Sequence, residues 1–345
     1  MDSTIVLFLL QDGLTSGAIY ALLGFALVLV FTVTRIIFIP QGEFVAYGAL
    51  TYAVLRSGGI PGTVWLLMVF GAAALLAALW GGRATLTPRR ALSETVATFG
   101  PPLAVAAIVL ASQGVPRPAV ADVVLTVLIV APLGPYLYRV AFEPLADASI
   151  LTLFIAAVAV HIAMTALGLA FFGAEGLRAP PLSEASFALG PLLVTGQSLA
   201  VGAVALVLSL ALWVFFGFTL MGKALRATAV NRVGARLVGI GTGRAGRFAF
   251  ALAATVGAVS GILVVPVTTI YYDTGFLIGL KGFVAAIVGG LASYPLAGAA
   301  ALAVGVLEAF AAFEASAYKE VIVFGLVIPV LLFRSFGAAD SDEGH

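Results

Sequence analysis

Residues 4–33 read TIVLFLLQDGLTSGAIYALLGFALVLVFTV, thirty positions that carry one charged residue, Asp12. A helix needs roughly 20 apolar residues to cross the hydrocarbon layer, and this stretch exceeds that length. A barrel strand would show segments of about ten alternating residues, and this run is too long and too uniformly apolar for one. It is not expected to be a cleavable leader, because it lacks a basic leading segment, carries Asp2 and Asp12, and continues past the length of a leader's apolar core. The whole chain has the same character. Of its 345 residues 62% are hydrophobic and 10% charged, and the mean hydropathy is +1.17. Soluble domains run at about 45–50% and about 25%, so lipid must be the solvent for much of this surface. A soluble enzyme, a disulfide scaffold and a disordered chain are excluded. The net charge of +1 argues against nucleic acid as a partner. With no cysteine, thiolate chemistry and cysteine-bound metals are excluded too.

Further apolar segments lie near 36–56, 62–82, 94–112, 119–139, 149–172, 191–220, 246–271, 276–294, 296–313 and 320–335. With the first run they predict an all-α polytopic membrane protein of about 10–11 transmembrane or re-entrant helices, in which 36–56 and 276–294 are the candidates for broken or re-entrant segments. The longest basic connection, 221–247, holds Lys223, Arg226, Arg232, Arg236, Arg244 and Arg247 and no acid. Basic loops face the cytoplasm, so this one is placed there, with 83–93 and 139–148 beside it. The N-terminus then lies outside and the C-terminus inside, and twelve of the seventeen Lys and Arg residues fall on the cytoplasmic side. One transmembrane domain over 1–335 is expected, followed by a disordered cytoplasmic tail, 336–345. The stretch 173–190 reads as an external loop.

Catalytic signatures are absent. The two histidines, His161 and His345, make no zinc motif, and His161 reads most simply as a neutral imidazole bonded to a neighbouring helix. Gly217-Phe-Thr-Leu-Met-Gly222-Lys223-Ala224 imitates a phosphate loop, but Ala224 stands where the metal-binding hydroxyl belongs and the segment ends a hydrophobic helix. The informative polarity is inside the spans. Pro40-Gln41-Gly42-Glu43 places an amide and a carboxylate in an apolar stretch, and a charge at that depth costs about 2.5–3.5 kcal/mol by insertion scales. Lys281 and Glu308 are comparable. Either these four residues line a pathway or they pair structurally to hold helices together; the pattern allows both. Small-residue stripes at Gly13–Gly17, Gly257–Gly261 and Ala301–Gly305 read as close helix packing, and Pro132, Pro135, Pro266 and Pro329 as kinks. The basic segment 221–240 is expected to be one helix, without Ser, Thr or Asp caps and with a ladder of Leu225, Ala229, Val233 and Leu237. It suits either lipid headgroups or a groove on a soluble partner.

Gly13-Leu-Thr-Ser-Gly-Ala-Ile-Tyr20 and Ile39-Pro-Gln-Gly-Glu43-Phe, the basic segment 221–240, Gly279-Leu-Lys281-Gly-Phe…Gly289-Gly, and Glu308 with Tyr318-Lys-Glu320 together resemble the permeases of branched-chain amino acid importers of the ATP-binding cassette (ABC) class. The resemblance implies a type II-like permease fold, in which 84–118 reads as an inserted helix region and 221–247 as the coupling loop. It implies a non-catalytic inner-membrane subunit for branched-chain or hydrophobic amino acids. The implied partners are a second homologous permease or a second copy, two cytoplasmic ABC ATPases and a periplasmic solute-binding protein. ATP and Mg²⁺ belong to the ATPases, and no cofactor to this chain. Gln41, Glu43, Lys281 and Glu308 become the candidate pathway, and Arg226, Asn231, Arg232 and Arg236 the ATPase contacts. Gln41 stands where the family carries Ala-His, and Val230 where it carries an acid. Urea, short amides and aromatic or other organic acids therefore remain alternative solutes. A stand-alone secondary transporter or channel is the rival of another class.

Overall fold

Helices follow the uninterrupted apolar runs, and breaks fall where glycine and proline gather. The computed structural model describes residues 3–81, 87–190, 192–291 and 293–332. Arg83, the start of the 84–118 insertion and the tail 336–345 lie outside the described residues.

The long helices are α1 (Ser3–Thr34), α3 (Gly62–Gly81), α4 (Pro88–Ala111), α7 (Ile150–Phe172), α8 (Gly196–Phe218), α11 (Thr242–Val264) and α13 (Tyr294–Glu314). A further crossing, 119–145, is broken into α5 (Ala119–Val130), α6 (Leu133–Leu137), a π turn over Tyr138–Phe142 and a 3-10 turn over Glu143–Leu145. Pro132 caps α6 and cannot donate a backbone hydrogen bond, which accounts for the interruption. Among the described residues eight helical stretches are long and apolar enough to span a bilayer, by length and composition. Side-chain caps fix several starts: the hydroxyls of Ser149, Thr195 and Ser293 accept from the backbone N–H groups of Thr152, Ser198 and Leu296.

The core gathers around α1, α11 and α2 (Gln41–Arg56), the last buried along almost its whole length. Glycine allows the approach. A side chain on Gly13 or Gly17 of α1 would strike the backbone of Leu302–Val306 of α13, and one on Gly261 of α11 would strike the backbone of α2. These stripes are therefore packing surfaces. By contrast α4, α7 and α8 turn large apolar side chains outward (Leu103, Ile162, Leu206, Trp213), as lipid-facing helices do.

Two helices are too short to cross. α2 has 16 residues and α12 (Thr274–Val288) has 15, about 24 and 22 Å. The α2 N-terminus lies level with the midpoints of two full-length helices: the Gln41 amide donates to the Ala253 carbonyl at 2.9 Å, and Glu43 lies against His161. Gly42 packs on Gly275 and Gly279, so the first turns of α2 and α12 meet midway through the bundle.

Three details depart from the sequence expectations. Pro266 follows the end of α11 at Val264 instead of kinking a span over 246–271. The external stretch contains a hairpin, β1 (Ser186–Leu189) paired antiparallel with β2 (Leu192–Thr195), turning at Gly190 with φ 61°; α8 therefore starts at Gly196, not at 191. The basic segment is two helices, α9 (Leu220–Val230) and α10 (Arg232–Leu237), because Asn231 is extended at φ −146° and ψ 102°. Both are capped. Thr219 accepts from Gly222 and Asn231 accepts from Gly234 at 2.8 Å. The break interrupts the expected ladder, leaving Leu225 buried and Val233 and Leu237 exposed. Between Lys319–Gly325 (α14) and residue 332 the chain is again mostly helical.

Candidate functional site

The eight residues singled out from sequence fall into three places. The first is the mid-depth junction of α2, α7, α11 and α12. Gln41 and Glu43 point to different helices there. Gln41 bonds to α11, while the fully buried Glu43 carboxylate faces α7, where its Oε1 lies 2.8 Å from His161 Nδ1. That contact is out of line with the ring N–H, so it is a close polar approach more than a directed hydrogen bond. Thr165, one turn on, donates to the same oxygen at 3.4 Å. Glu43 is the third residue of α2, where the helix dipole favours negative charge. Phe276 of α12 stacks on the His161 ring with centroids 4.6 Å apart. The Tyr47 hydroxyl donates to the Met164 carbonyl at 2.6 Å, which fixes α7 to α2 a further turn along. Two buried acceptors, Gln41 Oε1 and Glu43 Oε2, have no protein partner.

The second place joins Lys281 and Glu308 and separates them from Glu43. Lys281 Nζ lies 2.5 Å from Glu308 Oε1 and 3.3 Å from Glu320 Oε1. The Tyr20 hydroxyl donates to Glu308 Oε2 at 2.6 Å. One ammonium with two carboxylates thus ties α1, α12, α13 and α14 together, and Lys281 is buried.

The third place is the basic end. Arg232 donates to the Ala146 carbonyl at 2.8 Å; Arg236 donates to Thr242 at 3.1 Å and pairs with Asp147 at 2.9 Å. Arg247 lies 3.9 Å from Glu143. The connection at 143–148 therefore lies along α10 and the start of α11 and braces them. Asn231 spends its side-chain oxygen on the α10 cap. Arg226 makes one long bond, 3.5 Å, to the Phe216 carbonyl.

Reasoning from sequence missed the Glu43–His161 pair, because no local spacing links two residues on distant helices. It also missed Tyr20 and Glu320 as partners, although both stand inside the motifs that carried the resemblance. His161 reaches Glu43 from α7, a helix far from it in sequence. Among the described residues no group of three His, Cys, Asp or Glu side chains is placed to hold a metal.

The profile of the family described as "Branched-chain amino acid transport system / permease component" matches residues 94–331. The high-affinity branched-chain amino acid transport system permease protein LivH of Escherichia coli K12 is 27% identical over 356 residues, covering 99% of both chains. The corresponding protein BraD of Pseudomonas aeruginosa is 30% identical over 250 residues, 69% of this chain and 81% of that one. Among solved structures, PsaBC from Streptococcus pneumoniae in complex with Fab aligns over 94% of this chain and 90% of its own at 12% identity, with a TM-score of 0.37, a likeness too loose to define a fold.

Proposed function

The chain belongs to the family of permease components of branched-chain amino acid transport systems, and on that premise we propose that it is the membrane-embedded subunit of an ABC importer for branched-chain or other hydrophobic amino acids. It is a multi-pass transport subunit and not an enzyme. In this reading it sits in a bacterial cytoplasmic membrane and pairs with a second permease. Two cytoplasmic ATPases supply ATP hydrolysis, with ATP and Mg²⁺ on their side, and a periplasmic binding protein delivers the solute.

One observation carries the reading. Beyond the last turn of α8, the helices α9 and α10 expose Val230, Val233, Leu237 and Val238, two of them more than four-fifths exposed, beside Arg226 and Arg236. An exposed apolar patch with a polar rim marks a surface that another molecule covers, and the arginines along it, of which Arg236 is paired with Asp147, favour a partner with an acidic groove. An ATPase subunit fits that description. Arg226, Arg232 and Arg236 are proposed as its contacts, with Asn231 holding α10 in register.

Gln41 and Glu43, joined by His161, are proposed to border the solute pathway where α2 and α12 are interrupted, since broken helices are tolerated only beside protein or a water-filled cavity. Lys281 and Glu308 are proposed to brace the helices beside it. The deciding experiment is reconstitution of the permease with its ATPases and binding protein. Leucine, isoleucine and valine uptake should require ATP and all components. Uptake by the permease alone, driven by an ion gradient, would overturn the ABC reading; uptake of urea or organic acids in preference to leucine would overturn the solute class.

A further inference from the structure

A groove of about 540 Å³ opens between α1, α8, α9 and the start of α13. Its walls are apolar, with Phe25 of α1, Leu212 and Trp213 of α8 and Leu225 of α9 among them. Its polar groups are Thr32, Tyr294 and Arg226 together with Ser209. From Thr32 back to Phe25 the trough follows α1 for about 10 Å, away from the α9 end and into the depth of the bundle. Arg226 stands at that end with one long bond of its five possible N–H donations. Among the described residues no acid lies within 4.0 Å of it. On its far side the groove is bounded by a helix whose outward residues, Leu206 and Leu210, are those of a lipid-facing surface.

We propose that this groove is a binding site for an anionic phospholipid of the leaflet on the α9 side, with an acyl chain lying between α1 and α8 and the phosphate on Arg226. Two features have to be met together: an uncompensated guanidinium, and an apolar trough that continues from it toward mid-depth. An acidic side chain on a docked protein would answer the charge and leave the trough empty. A zwitterionic lipid would fill the trough and gain less from the charge. An anionic phospholipid meets both, by the chemistry through which basic pockets between transmembrane helices hold acidic headgroups. The inference rests on the chain lying in a bilayer and not on the solute; because Arg226 is also a proposed ATPase contact, it is tested on the chain without ATPases.

Trp213 lines the groove and also faces the bilayer, so bulk lipid of either kind quenches it alike and the groove is read from the difference between two lipids. The chain has three tryptophans, so Trp65→Phe with Trp80→Phe leaves Trp213 as the sole fluorophore. The full chain in vesicles is titrated with brominated phosphatidylglycerol or brominated phosphatidylcholine, whose acyl bromines quench a ring in contact. Phosphatidylglycerol should be preferred roughly fivefold, the factor that about 1 kcal/mol per basic residue supplies. Arg226→Gln should bring the ratio near unity, while Lys223→Gln, whose side chain is outside the groove, should leave it largely intact. Equal quenching by both lipids in the parent overturns the proposal. So does absence of quenching by either, which would mean that a second copy covers the groove. Displacement of the lipid by inorganic phosphate at millimolar concentration would reduce the site to one for anions and overturn it as well.

Discussion

A carboxylate with no exposed surface in an apolar bundle needs a reason to stay, and at Glu43 the reason is local. It lies in the first turn of α2, accepts from Thr165 and faces His161 at 2.8 Å. Removing the imidazole leaves the charge unmatched, at a cost of about 2.5–3.5 kcal/mol for a charged group at such depth. Removing the charge as well leaves only a lost interhelical bond, about 0.6 kcal/mol on average in bilayers. His161→Ala is therefore expected to unfold in detergent more readily than the double variant Glu43→Gln/His161→Ala, by roughly 2–3 kcal/mol. Both should lose transport. Equal stability of the two would show that the pair is not charged and that its role has been misassigned. The pairing was not legible in the sequence. Each residue could be flagged as polar at membrane depth, but their meeting depends on how α7 leans on α2, which no periodicity within either helix encodes.

At the level of elements, the decisive contacts are between backbones. A methyl group on Gly42 would overlap the Gly275 carbonyl, and one on Gly275 would overlap the Gly42 carbonyl. Neither can be relieved by turning a side chain, so Gly42→Ala should force α2 and α12 apart at a cost of about 1–3 kcal/mol. It should abolish transport in the assembled importer. Gly202→Ala on α8 meets nothing within 4 Å and should be neutral or stabilising by up to about 1 kcal/mol; a loss of transport there equal to that at Gly42 would contradict the packing account. The basic segment invites a different test. Arg236 pairs with an exposed Asp147, a class of bridge worth about 0–1 kcal/mol, and Arg226 has only a long bond to lose. Arg226→Glu with Arg236→Glu should therefore leave the membrane fold intact by gel filtration and thermal unfolding while ATPase copurification falls at least tenfold. Unchanged copurification would remove the docking assignment. The charge of this segment could be read from the residues alone. The break at Asn231 could not, because an alanine-rich run favours a continuous helix and the interruption depends on Asn231 capping α10 against the brace at 143–148.

For the molecule as a whole, composition carried most of the information: so large an apolar fraction can be satisfied only by lipid, and the apolar runs locate the helices to within a few residues. The exceptions share one cause. Where α2 and α12 begin at mid-depth, and where a hairpin takes the first residues assigned to α8, glycine and proline redirect the backbone inside or beside an apolar stretch, and hydropathy does not register direction. Orientation is the global property on which the proposed partners depend, and the absence of cysteine makes it directly measurable. A single cysteine placed at Ala227 of α9, an exposed position, should resist a membrane-impermeant maleimide in intact cells and react after permeabilisation. One placed at Ala188 in the hairpin should react in intact cells. The two positions lie at opposite ends of α8, a helix of 23 residues that is about 34 Å long, enough to span the hydrocarbon layer once. They cannot share a side while that helix crosses. If Ala227→Cys reacts from outside, the basic helices face away from any source of ATP, and the ATPase contacts assigned to Arg226, Arg232 and Arg236 are excluded together. If both cysteines react only after permeabilisation, α8 does not cross, and the division of the chain into spans is wrong at its most exposed helix.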